Sequence, residues 1–77
     1  MVKFTTIPGV TFYVINVRTN RMLSFGAIEM ASQEIFGLCS TKIPTPVIVI
    51  KNSPDGAKII KLEGELTAKT IESQLSS

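Results

Sequence analysis

The 77-residue sequence contains no histidine and a single cysteine. Without histidine it has no side chain whose ordinary pKa lies near neutrality, so the usual general base and the commonest metal ligand are both missing. No nucleophile–base pair of the serine–histidine kind can form, and phosphate-cradling glycine loops are absent too. These absences set hydrolysis and phosphoryl transfer aside. With Cys39 alone, neither an internal disulfide nor a multi-cysteine zinc motif is available. No apolar run is long enough to span a bilayer. Thr5, Thr6, Pro8 and Gly9 interrupt any apolar core of a secretory leader. The expectation is a soluble protein of a reducing compartment, intracellular and cytoplasmic, with no signal peptide, metal, cofactor or membrane partner.

Charge is scarce as well. The formal net charge is +2, and the eight basic residues are spread from Lys3 to Lys69, with acids between them in the second half. A phosphate-binding face needs clustering that this order does not supply, so nucleic-acid binding is the least favoured of three readings. Glu29 and Glu34 stand five apart, and Glu63 and Glu65 flank Gly64. Neither spacing makes the close pair of carboxylates that acid–base catalysis uses. The sequence therefore leans against an enzyme without deciding the matter.

Apolar residues, by contrast, are plentiful. They make up 44% of the chain, and the mean hydropathy is +0.31. A domain this small buries only about 60–65% of the surface its unfolded chain exposes. Part of the apolar content is thus expected to cover a partner.

Along the chain, one domain (residues 1–77) is expected. "VKFTTI" (2–7) reads as a short strand, and Pro8-Gly9 as a turn. "VTFYVINV" (10–17) is β-branched, aromatic and nearly continuous in apolarity, the pattern of a strand covered on both faces. After "RTNR" two readings stay open: "MLSF" is a further strand, or it begins the next helix. Ile28, Ala31 and Ile35 recur at helical spacing, with Ser24 as an N-cap and Gly37 as a left-handed C-cap. "PVIVIK" (46–51) and "AKIIKLE" (57–63) form an antiparallel hairpin through "NSPDG". Thr67 caps a last helix running to about Leu75, with Leu66 and Ile71 as its hydrophobic staple. The strand–helix–strand unit implies a crossover between parallel strands, to which the hairpin adds an antiparallel edge.

This order resembles the thioredoxin-like superfamily, without that fold's first strand and helix. The likeness is carried by "VINV" with "RTN", by "FGL…KIPTPVIVIKN", and by Gly56 to Leu75, where "ELTAKTIESQL" keeps the apolar spacing at Leu66, Ile71 and Leu75. It implies an α/β (α+β) partial fold of order (β)-β-α-β-β-α with a mixed sheet. A two-layer ferredoxin-like α+β domain is the competing fold. The superfamily's Cys-x-x-Cys and its central strand have no counterpart here. The resulting gap in the sheet would be filled by residues 2–7 or by another chain.

The resemblance also implies a site. In "KIPTP", Pro44 corresponds to the proline that is cis in thioredoxin-like proteins, and Ile43, Pro44 and Thr45 to the backbone that meets an extended partner peptide. Pro46 is the rival position, and a trans proline leading into an edge strand is the alternative. The first function expected is a non-catalytic protein-interaction or assembly module, part of a homo-oligomer or a larger complex, using this loop and the exposed strand edges. The second is thiol–disulfide chemistry through Cys39. Against it, Cys39 follows a helix C-terminus, where the helix dipole opposes a thiolate, and no resolving cysteine exists.

Overall fold

A computed structural model describes residues 6–40, 45–64 and 66–76. Four strands and two helices follow one another as β1 (Thr11–Asn16), β2 (Arg21–Phe25), α1 (Ile28–Cys39), β3 (Val47–Ser53), β4 (Gly56–Leu62) and α2 (Ala68–Ser76). The strands form one sheet in the order β2-β1-β3-β4, and each neighbouring pair is antiparallel. The fold is a small α+β domain.

The mixed sheet expected from the sequence is corrected by this topology. "MLSF" becomes β2, folding back on β1 in a hairpin that pairs Phe12 with Phe25 and Val14 with Leu23. Asn16 organises the turn. Its side-chain Oδ1 accepts hydrogen bonds from the N–H groups of Arg18 (3.0 Å) and Thr19 (3.2 Å), and its carbonyl accepts from Asn20 N–H (2.7 Å). Asn20 takes φ 59°, a left-handed conformation that asparagine tolerates better than most residues. Strands β2 and β3, joined by α1, do run in the same direction, but β1 lies between them.

Nor is there a gap. β1 pairs directly with β3 from Thr11↔Asn52 to Asn16↔Val47. Of the expected strand at 2–7, residues 2–5 lie outside the described residues. Thr6 makes only an isolated bridge with Ala27, beside β2 rather than inside the sheet.

The caps of α1 differ from expectation as well. Ser24 is drawn into β2 opposite Tyr13, and Ala27 occupies the N-cap without a side-chain bond. Gly37 lies within the helix, which continues to Cys39 and closes with Ser40 N–H bonded to Phe36 carbonyl at 2.9 Å. Extending the helix by one turn adds Cys39 to the buried stripe of Ile28, Ala31, Ser32 and Ile35. That gain outweighs the glycine's weak helix propensity, about 1 kcal/mol.

The second hairpin and last helix form as expected. Ser53 and Gly56 flank the Pro54–Asp55 turn, where Ser53 Oγ donates to Gly56 carbonyl at 2.9 Å. Gly56 has φ 132°, a conformation a side chain would strain. Thr67 Oγ1 accepts from Thr70 N–H at 3.2 Å, and Leu66 packs against the core.

Both helices lie on one face of the sheet. Their buried side chains meet Phe12 and Val14 of β1, Val47 and Val49 of β3, and Ile60 and Leu62 of β4. Ile71 and Leu75 anchor α2 and are fully buried. Leu75→Ala is expected to cost about 3 kcal/mol through the cavity it leaves, and Thr67→Ala about 1 kcal/mol through the lost cap. Urea denaturation checks both values and their order. Ser32 Oγ is buried with no hydrogen-bond partner. Ser32→Ala should therefore stabilise the fold by about 1 kcal/mol, read as a higher urea midpoint.

Candidate functional site

Alternation along a strand sends successive side chains to opposite faces. Phe12 and Val14 of β1 therefore point to the helices, and Tyr13 and Ile15 to the other side. The same register sends Met22 and Ser24 of β2, Ile48 and Ile50 of β3, and Ile59 and Lys61 of β4 to that outer side. Two four-strand rows result, with a shorter third row of Thr11, Asn52 and Ala57 beside them. One runs Met22, Ile15, Ile48, Lys61, and the other runs Ser24, Tyr13, Ile50, Ile59. No helix covers this face among the described residues.

An antiparallel sheet with one bare face ordinarily carries polar residues there. Here the face is mainly aliphatic. Its central residues, Tyr13, Ile15, Ile48 and Ile50, are half-buried by one another. Toward the margins Ile59 is 67% exposed, Met22 58% and Val17 46%. The strand expected to be covered on both faces is covered on one. This sheet face is the main candidate surface. The contact expected from the sequence falls at residues 43–45 and the strand edges instead, and the outward apolar residues of β1 and β3 are the signal that expectation misses.

Of the residues expected to carry a site, Thr45 and Cys39 fall elsewhere. Ile43 and Pro44, with the expected cis bond, lie outside the described residues. Thr45 is buried, and its N–H donates to Leu38 carbonyl at 3.1 Å, tying it to the end of α1. Pro46 is trans, since no cis peptide bond occurs among the described residues.

Cys39 is the last residue of α1 and not, as expected, part of the following loop. Its side chain is fully buried, and Sγ makes a long contact of 3.9 Å with Thr45 carbonyl. Burial pushes its pKa up, away from a reactive thiolate. It fills the core where the helix meets β3.

On the helix side, a cleft of about 250 Å³ opens between α1 and the end of the β1–β2 hairpin. Val14, Leu23 and Leu38 supply its apolar walls, and Asn16, Thr19, Arg21 and Glu34 its polar ones. Leu23 points to the helix side and is still 48% exposed, because α1 stops short of covering β2. The cleft joins no second carboxylate, cysteine or histidine to Glu34. No group of residues suited to hold a metal occurs among the described residues. No helix there is long and apolar enough to cross a membrane.

No known protein family, curated protein or solved structure matches the chain.

Cys39 supplies a direct check. In the folded protein it should react with a thiol reagent at least 100-fold more slowly than in urea. Its raised pKa means the folded state holds the thiol proton after the unfolded state has released it. Its contribution to stability is therefore full below the ordinary thiol range, near pH 8.5, and falls as the pH rises through it. Denaturation midpoints at pH 7 and pH 9.5 should differ in that direction, and Cys39→Ala should flatten the difference.

Proposed function

We propose that this chain is a non-catalytic, protein-binding module whose contact surface is the outer face of its sheet. The partner is a protein surface of matching chemistry, aliphatic and weakly charged. The observation that carries this reading is that β1 and β3 are apolar on both sides while the helices cover only one. Contiguous exposed apolar patches of this kind mark interaction sites. Sheet faces pack at about 10 Å from one another, where β-branched side chains interdigitate well.

The face, rather than the strand edges, is the favoured surface. The free edge of β4 carries Lys58 and Lys61, the kind of charge that discourages edge-to-edge pairing. A nucleic-acid partner finds little support, since the face offers one aromatic residue, Tyr13, and one lysine, Lys61. The thiol reading loses support because Cys39 is buried with a raised pKa. The expected likeness to thioredoxin-like domains carries no part of this proposal.

The test separates side chains that serve the fold from those that serve a partner. In dilute solution, Met22→Lys with Ile59→Lys should leave the unfolding free energy from urea denaturation within about 0.5 kcal/mol of the parent. The same pair should abolish most binding of an apolar fluorescent dye. A loss of stability above about 2 kcal/mol, or unchanged dye binding, would assign these side chains to the fold itself and remove the reading.

A further inference from the structure

We infer that the protein covering the sheet's outer face is a second copy of this chain, giving a twofold dimer with four layers: helices, sheet, sheet, helices. The inference rests on the reading that this face is a protein-binding surface.

Three observations favour a copy over a different partner. The first is area. The molecule is a slab of 35 × 30 × 19 Å with an accessible surface of 5251 Å². One broad face, 35 × 30 Å across, spans on the order of 1000 Å², against about 800 Å² per partner in a standard interface. The face therefore meets the area of a standard interface.

The second is composition. In the two central rows Lys61 is the only charged residue. Interfaces between different, exchangeable partners are about as polar as the rest of the surface, whereas homodimer interfaces are distinctly more apolar. A face with one charge lacks the electrostatic pattern that selects one foreign partner among many.

The third is self-complementarity. In an isologous contact the same patch meets itself across the axis. An in-plane axis parallel to the strands, between β1 and β3, lays β1 over the copy's β3 and Lys61 over its Met22. An axis across the strands, between the two rows, lays Lys61 over the copy's Ile59. In both arrangements the aliphatic centre meets itself and the lysines do not oppose each other. Lys61 sits on an edge strand, from which its ammonium group can reach solvent while its stem covers apolar surface.

Tyr13 is the only tyrosine, and there is no tryptophan. Its emission therefore reports on the centre of this face alone. The experiment is light scattering across a dilution series with reductant present, together with acrylamide quenching of Tyr13. It compares the parent with Met22→Lys, Ile59→Lys and, as a control on the helix side, Leu23→Lys. The exposed positions make failure to fold a minor concern, and circular dichroism monitors it.

The expected result is a mass twice 8.4 kDa at micromolar concentration, falling to the single mass on dilution as Tyr13 becomes open to quenching. Met22→Lys and Ile59→Lys should each weaken the dimer at least tenfold, and Leu23→Lys should leave it unchanged. A dimer indifferent to both face substitutions overturns the inference. So does a monomer at 100 μM that binds apolar dye through Met22 and Ile59, which leaves the protein-binding reading in place with a different partner. A monomer that binds phosphatidylcholine vesicles through those residues overturns both.

Discussion

The antiparallel pairing of β1 with β3 is the constraint on which the rest of the molecule depends. It sets Val14 opposite Val49 and Asn16 opposite Val47, and the two-residue period of a strand then assigns every side chain of the sheet to a face. A slip of one residue would exchange Phe12 and Val14 for Tyr13 and Ile15 beneath the helices. Phe12 and Val49 are wholly buried at the centre of the core, so register and core are a single decision. The two hairpins extend this pair outward, one through the Asn16 turn and the other through Pro54–Asp55.

Two helices of 12 and 9 residues cover one face of a four-stranded sheet, and the described residues hold no further layer. In most two-layer domains the second face is made polar to suit that situation. Here Ile15, Ile48, Ile50 and Ile59 stand on it instead. The mismatch between an apolar face and the lack of a covering layer among the described residues is the physical basis of the functional reading.

The same geometry accounts for the quiet chemistry of the helix side. Cys39, the redox candidate of the sequence, stands at the end of the buried stripe, where it is a packing residue that resists ionisation. Thr45, drawn inward by its bond to Leu38, closes the same corner of the core. Arg21 and Glu34 remain at the rim of a small cleft, with no cysteine, histidine or second carboxylate beside them among the described residues.

Local signals in the sequence determined the second hairpin, the Thr67 cap, the apolar spacing of α2 and the apolarity of β1 and β3 on both sides. Each depends on residues within one turn or one strand, where proline, glycine, threonine and the β-branched types act directly on the backbone. Tertiary structure decided the rest. Ser24 has the chemistry of a helix cap and Gly37 that of a helix stop, but pairing with Tyr13 and burial of Cys39 overrode both. Whether "MLSF" would be strand or helix turned on its fit against β1, and with it whether the sheet would be mixed or wholly antiparallel. The sequence declared that these strands have two apolar faces; only the placement of both helices on one side revealed which face is left open. Strand periodicity separates the faces of a sheet, but which of them is buried depends on contacts distant in sequence.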